Sequence, residues 1–378
     1  MVYAAPPASL FPVDAFRRAV DFVLKRRLPE IARLGPAEGL PSLRLEVARM
    51  LAQIGITASD DNIVITNGCQ QSLDLLRRVL VKPGNTIVLE NPTYPGAVGA
   101  LSPTSLGLHE LPILAEGPDL RAIATAASGN RPKLVYVSPN FHNPTGYTMP
   151  ADARRQLMTL TGQMGIPVIE DDVFGPLRYD GAAVPSLQSL SPHLVIYIGS
   201  FSKILSPGLR LGWIVAPRPV VEQVILSKQA ADAHSSLLLQ VAMDEFCKRD
   251  IIHRHLKKVR KVFRNRRDAM AEALRKHFPS DATWPLPEGG LSLWVTLTPD
   301  WNTEDLSVAA KERGVQFLPG SLFYFRSARR HAMRLSFATE DEPDIRTGIR
   351  ILGETIEQMR PKLFALGQEA RERTLAVV

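Results

Sequence analysis

Between residues 63 and 216, short apolar runs rich in β-branched residues alternate with stretches whose apolar positions recur every three to four residues. The runs Ile63 to Thr66, Thr86 to Glu90, Leu134 to Ser138, Pro167 to Asp171, Val195 to Ser200 and Leu211 to Ala216 read as strands. Gln71 to Leu80 and Ala151 to Gly165 read as helices between them. This alternation predicts an α/β domain built on a largely parallel sheet covered on both faces, with ligands collecting at the carboxyl ends of the strands. After a basic stretch the elements shorten, with Leu291 to Leu297 and Met333 to Phe337 as strands. The expected division is a large domain over 41–270 and a smaller α+β domain formed by 1–40 with 271–378.

Other classes of chain are excluded by composition. With 45% hydrophobic residues among 378, the chain can bury a substantial core, so disordered, collagenous and disulfide-scaffold readings fail. No run approaches the roughly 18 apolar residues of a membrane span. The opening MVYAAPPASLFPVDAF lacks the basic flank of a signal peptide, so the expectation is a cytoplasmic protein. Cys69 and Cys247 stand far apart in no metal-ligand spacing and read as free thiols, with no metal expected.

The 45 Lys and Arg against 38 Asp and Glu leave a net charge of +7, which invites a nucleic-acid reading. Much of that charge lies in Ile252 to Leu274. There Leu256, Val259, Phe263, Met270 and Leu274 form a helical stripe, and Lys257, Lys258, Arg260, Lys261, Arg264, Arg266 and Arg267 fill the remaining positions. An apolar stripe must pack on something, so an amphipathic helix with a solvated basic face is favoured over a DNA-binding surface, and no nucleic-acid partner is expected.

The chemistry-bearing residues fall at the strand ends. Lys203 follows a strand between Ser200, Ser202 and Ser206, with Arg210 seven residues on. Taken alone it is an ordinary lysine; in this company it suits a Schiff-base nucleophile, with Ser200, Ser202 and Arg210 as phosphate ligands. Gly68-Cys69-Gln70 opens a helix whose free N–H groups can bind an anion or simply be capped. Asn143, in Asn143-Pro144-Thr145-Gly146, can donate an amide to a phenolate-like oxygen or belong to a plain turn. Glu170, Asp171 and Asp172 end an apolar strand, and a carboxylate there can hold a pyridine nitrogen protonated, bind a metal or simply mark a solvated strand end. The metal is disfavoured because no histidine pair stands at ligand spacing.

In combination, Gly68-Cys69-Gln70, Tyr94, Asn143-Pro-Thr-Gly, Asp171, Ser200-x-Ser202-Lys203 and Arg210 resemble the class I/II aminotransferases of the fold-type I family that use pyridoxal 5′-phosphate (PLP). The resemblance runs from about Leu10 to Phe337, with Gly35 to Arg44 and Val315 to Gly320 included. It is nearest to the 2-aminoadipate and kynurenine type aminotransferases and to the aminotransferase-like domain of MocR-type GntR regulators.

The resemblance implies a large domain with a mostly parallel sheet, a smaller α+β domain, and a homodimer. It implies that Lys203 binds the cofactor covalently and then moves a proton, that Asp171 pairs with the pyridine nitrogen and that Tyr94 stacks on the ring. Asn143 would bond the 3′ oxygen, Gly68, Cys69, Gln70, Ser200, Ser202 and Arg210 would surround the phosphate, and Arg334 would clamp the substrate α-carboxylate. The substrates implied are an amino acid and a 2-oxo acid.

The sequence departs from the family at three places: Phe174 stands where a tyrosine is usual, Leu34 where a tyrosine reaches the neighbouring subunit, and Cys69 where serine is frequent. Leu10, Leu34, Phe174, Tyr324 and the residues from Pro287 to Leu291 are the candidates for the substrate side-chain pocket. The alternative function is a PLP-binding sensor domain of a MocR-type regulator. Because the chain opens almost directly at Leu10-Phe11-Pro12, no preceding winged helix is expected. Lyase or decarboxylase chemistry on the same cofactor is the third possibility.

Overall fold

The computed structural model describes residues 1–102, 106–114, 116–326 and 329–375, the last fifteen of these as backbone only. Eight strands form one sheet: β1 (Ile63–Thr66), β2 (Thr86–Asn91), β3 (Gly107–Leu114), β4 (Gly117–Pro118), β5 (Val135–Val137), β6 (Val168–Asp171), β7 (Val195–Ser200) and β8 (Gly212–Val215). Their spatial order is β1-β8-β7-β6-β5-β2-β3-β4. The pairs β3/β2, β2/β5, β5/β6 and β6/β7 are parallel, and β8 runs antiparallel to both of its neighbours. Two reversals cancel, so β1 points the same way as β7. The carboxyl ends of β1, β2, β3, β5, β6 and β7 therefore emerge along one edge, and β8 begins there.

Strand side chains alternate between two cores, as a doubly covered sheet requires. Val88, Val135, Val137, Val168 and Val195 face a cluster completed by Ile123 of helix Arg121–Ser128 and Leu157 of helix Ala151–Met164. Ile87, Leu89, Tyr136, Ile169 and Ile196 face the larger cluster, with helices Pro41–Ala52, Cys69–Leu80, Leu237–Lys248 and Ile251–His277. Among the described residues no helix is long and apolar enough to cross a membrane.

Three further strands, β9 (Ser292–Thr296), β10 (Leu318–Pro319) and β11 (Ala332–Ser336), make a small antiparallel sheet in the order β10-β11-β9. The Ser336 N–H at the end of β11 donates to the Met1 carbonyl (3.0 Å), so the first residues lie beside this sheet. Helix Val13–Arg26, by contrast, packs on helix Leu237–Lys248. Helix Ile251–His277 continues past position 270 and packs along helix Glu342–Leu375.

The expected helix at Ile252 to Leu274 is present, but its basic face is only partly solvated. Arg266 and Arg267 are buried, donating to the carbonyls of Ala338 and Pro287 respectively (2.5 and 2.7 Å). Long side chains can bury their stems and still satisfy the guanidinium, a freedom that simple charge patterning does not reveal.

The seam between β7 and β8 is tight. Gly199 faces Trp213 across the ladder, and a Cβ at Gly199 would sit 2.3 Å from the Trp213 ring, itself packed edge-on against Phe201 with centroids 4.9 Å apart. Gly199→Ala is expected to destabilise the fold by about 1–3 kcal/mol through overpacking, read as a lower urea midpoint with unchanged slope. A midpoint equal to that of the parent would show that the Trp213 ring can move aside.

Candidate active site

The edge where six strands end, β3 included, collects the residues of the candidate site. β7 and β8 are joined by residues 201–211, closed at the base by the Phe201 N–H donating to the Leu211 carbonyl (3.0 Å). Lys203 sits in this return. A ring nitrogen of His255 on helix Ile251–His277 lies 2.8 Å from the Ile204 carbonyl, which anchors the loop from below. Ser200 Oγ accepts from the Ser202 N–H (3.1 Å) and lies 3.3 Å from the Leu211 carbonyl, leaving the buried Ser202 hydroxyl without a partner among the described residues.

Gly68 caps helix Cys69–Leu80 with φ of 86°, a left-handed backbone that glycine adopts without strain, and a Cβ there would come within 3.0 Å of the Arg210 guanidinium. Arg210, entering β8, donates to the Asn67 carbonyl (2.9 Å). A cation, a hydroxyl pair and the first-turn N–H groups of a helix thus meet at one point, an arrangement suited to a phosphate. Gln70 contributes to this point only through its backbone. Its side-chain amide donates to the Gly96 carbonyl (2.9 Å) and its oxygen accepts from Tyr94 Oη (3.3 Å).

The centre of the site is a pocket of about 20 Å³ lined by Cys69, Tyr94, Tyr136, Ser138, Asn143, Asp171, Phe174 and Lys203, with Val173. Tyr136 and Asp171 lie on the same face of neighbouring strands, and Tyr136 Oη donates to Asp171 Oδ2 (2.7 Å). Ser138 Oγ donates to the Asp171 carbonyl (3.0 Å). Asp171 Oδ1 is buried and has no partner among the described residues.

Burial raises the Asp171 carboxyl above the usual carboxylate range, against the Tyr136 hydrogen bond that lowers it. Burial lowers the Lys203 amine below the ordinary lysine value, with Cys69 opposing and Arg334 reinforcing the shift. Burial also pushes the Cys69 thiol up to about 11 and Tyr94 up to about 12, so both are neutral near pH 7.

Arg334, central in β11, reaches a lining residue of this pocket from the small sheet. It donates to Asn143 Oδ1 (2.9 Å) and to the Val2 carbonyl (2.7 Å), while Lys203 Nζ donates to the Ala4 carbonyl (3.1 Å). Residues 2–4 therefore lie across the site, the Val2 and Ala4 carbonyls accepting from Arg334 and Lys203. With its oxygen held by Arg334, the Asn143 amide is left with its NH₂ group to donate. The aromatic ring of Phe174 lies 5.7 Å from the Lys203 amine.

The model of class I and II aminotransferases matches residues 10–352. The chain belongs to that family. A 2-aminoadipate transaminase of Thermus thermophilus is 35% identical over 356 residues, covering 93% of this chain and 88% of that protein. The crystal structure of LysN, the α-aminoadipate aminotransferase of Thermus thermophilus in complex with N-(5′-phosphopyridoxyl)-L-leucine, superposes with a TM-score of 0.90 at 34% identity, covering 97% of this chain and 92% of that one. An HTH-type transcriptional regulator of Bacillus subtilis, YdfD, is 31% identical over 355 residues, which are 93% of this chain and 72% of the regulator.

Three supporting groups of this aminotransferase were not among the residues singled out in its sequence. Tyr136 reads as one more apolar strand residue; only its place beside a β6 residue of the same face reveals its hydrogen bond to Asp171. His255 lies in the basic helix, where its ring has no local signal. His142 Nε2 lies 3.3 Å from Glu90, whose other contact is the Ser138 N–H (2.8 Å), so the turn before Asn143 is braced from β2. Leu34 is 85% exposed and does not reach the pocket of its own chain.

Behind Asp171, Asp172 is buried with Asn140 Nδ2 (2.8 Å) and Tyr197 Oη (3.1 Å) on its carboxylate. Desolvation, and secondarily the buried Glu170, raise it to about 7. A carboxyl raised on folding binds more protons folded than unfolded, so its contribution to stability is complete below about pH 4 and is lost as pH climbs towards 7. Asp172→Asn should therefore gain stability relative to the parent on going from pH 5 to pH 8, by the order of 1–3 kcal/mol in urea unfolding. A difference that does not change with pH would show that Asp172 is ionised throughout.

Proposed function

We propose that this aminotransferase uses pyridoxal 5′-phosphate at the edge of the large sheet and moves an amino group from an amino acid to a 2-oxo acid in two half-reactions. The observation that carries the reading is the Lys203 amine, buried and biased towards its neutral form, in a pocket with Asn143, which Arg334 holds, and with Asp171, whose Oδ1, like the nearby Ser202 Oγ, has no protein partner among the described residues. These residues fit the cofactor: a carboxylate oxygen for a pyridine nitrogen, the Asn143 amide for the 3′ oxygen, Tyr94 for the ring face, and Gly68, Cys69, Ser200, Ser202 and Arg210 for the phosphate. When bound, PLP supplies a carbonyl that takes up the substrate nitrogen and a ring that accepts the electrons released at the α-carbon.

The chain's own residues do the rest. Arg334 receives the substrate carboxylate in a bidentate geometry, giving up its bond to the Val2 carbonyl, and so fixes the α-carbon relative to Lys203. Lys203 Nζ, neutral, is the base that takes the α-proton and returns it. Burial favours that neutral form, which an exposed lysine would hold only near its ordinary value of about 10.4. Tyr136 holds Asp171 by one oxygen and leaves the other for the ring nitrogen. Phe174 adds apolar wall in place of a hydrogen-bonding phenol.

The working form we propose is a homodimer, and the free thiols Cys69 and Cys247 suit a reducing, cytoplasmic setting. The similarity to HTH-type regulators favours one competing reading, a sensor that binds the cofactor and an amine without turnover.

Lys203→Ala is expected to abolish the visible absorbance band of PLP-loaded protein and to slow the amino-acid half-reaction by at least about 10²–10⁴-fold. A band that survives the substitution would sink the assignment. Tyr136→Phe leaves Asp171 with one charge-assisted hydrogen bond fewer, worth about 1.5–3 kcal/mol, and should weaken PLP by roughly tenfold or more in a titration of the band, with Lys203 still reactive. Equal affinity would show that Tyr136 does not position Asp171.

A further inference from the structure

A cavity of about 880 Å³ lies apart from the site at Lys203. It opens between residues 53–55 after helix Pro41–Ala52, the segment 172–186 leaving β6, and the outer side of helix Ile251–His277. Its volume is that of a small-molecule site, and its walls differ sharply in character. One wall is cationic: Lys257, Arg260, Lys261 and Arg264 follow the spacing i, i+3, i+4, i+7 and so share one helix face, and Arg178 lines the same cavity. Another part of the lining, Ala183 to Pro185, is apolar.

Two of these five cations are matched. Arg178 pairs with Glu288, and Arg264 pairs with Asp180 (2.7 Å), which also binds Arg267. Arg260 donates only to the Pro176 carbonyl (2.7 Å), and among the described residues no carboxylate lies within ion-pair distance of Lys257, Arg260 or Lys261. Asp172 lines the floor, but its carboxylate is already bound by Asn140 and Tyr197.

Like charges three and four residues apart repel, and a concave, partly apolar wall strengthens the field they share. Asp180 offsets part of this repulsion at Arg264, but among the described residues no carboxylate pairs with Lys257, Arg260 or Lys261. The geometry points to a ligand that does: we propose that the cavity binds a phosphorylated small molecule of nucleotide size, its phosphates on Lys257, Arg260 and Lys261 and its apolar body on Ala183 to Pro185. The concave shape separates this from duplex binding, which needs a surface laid along the groove of a wider partner.

The test is calorimetric titration of the full chain with ATP, with PLP loaded first so that the Arg210 point is already filled, and with inorganic pyrophosphate and a short DNA duplex in parallel. Expected are one ATP per chain, weaker pyrophosphate binding because the apolar wall goes unused, and weaker ATP binding as salt rises. Lys257→Glu with Lys261→Glu should weaken ATP about tenfold or more. Ala183→Trp, which narrows the cavity without altering a charge, should weaken it too and decides the matter if the charge-reversed chain does not fold. No saturable ATP binding, binding unchanged by both alterations, or tighter binding of the duplex than of ATP would each overturn the proposal.

Discussion

Everything at the candidate site depends on the antiparallel return between β7 and β8. In a purely parallel sheet a strand following β7 would start at the far edge, and Arg210 would enter roughly 20 Å from Lys203, about the length of a six-residue strand. Because β8 runs back along β7, the same short loop delivers a lysine on its way out and an arginine on its way in. A second reversal brings the end of β1, with the N-terminus of helix Cys69–Leu80, to that edge as well. The price is the close seam at Gly199 and Trp213, where no side chain larger than hydrogen fits.

The second constraint is electrostatic. Lys203, Asp171 and Arg334 are all taken out of water, and burial shifts each towards its neutral form, Arg334 down to about 10. Buried charges are tolerated when they are paired and hydrogen-bonded, and here the pairing is incomplete: Tyr136 satisfies one oxygen of Asp171, and carbonyls of residues 2 and 4 satisfy parts of Arg334 and Lys203. Such partial satisfaction is what a site looks like when the missing partners are supplied by a cofactor and a substrate. The same reasoning separates this pocket from the basic cavity along helix Ile251–His277, where the unmatched groups are of one sign and line an open wall.

Much of this was legible in the sequence. Strand runs buried on both faces carry a strong local signal, and β1, β2, β5, β6, β7 and β8 fall within a residue or two of the expected positions. The residues at their ends follow because a ligand-binding α/β sheet works at one edge. What escaped was whatever depended on pairing across the chain. β3, with His109, Glu110 and Pro112 in its run, lacks the apolar pattern of its neighbours and is paired along β2, and helix Glu342–Leu375, also absent from the expected elements, packs on helix Ile251–His277. Tyr136, His255 and the strap of residues 2–4 act through partners 35, 51 and 199 positions away or more, and no periodicity encodes such distances.

Transfer of nitrogen is the chemistry these groups are arranged to perform. The most direct measurement mixes PLP-loaded protein with a panel of ¹⁵N-labelled amino acids, first alone and then with 2-oxoglutarate, and follows the label by mass spectrometry. At least one donor is expected to yield its 2-oxo acid in an amount equal to the protein, and the label is then expected in glutamate. Cofactor and amine binding with no label in glutamate for any donor would contradict this and leave a sensor in place of an enzyme.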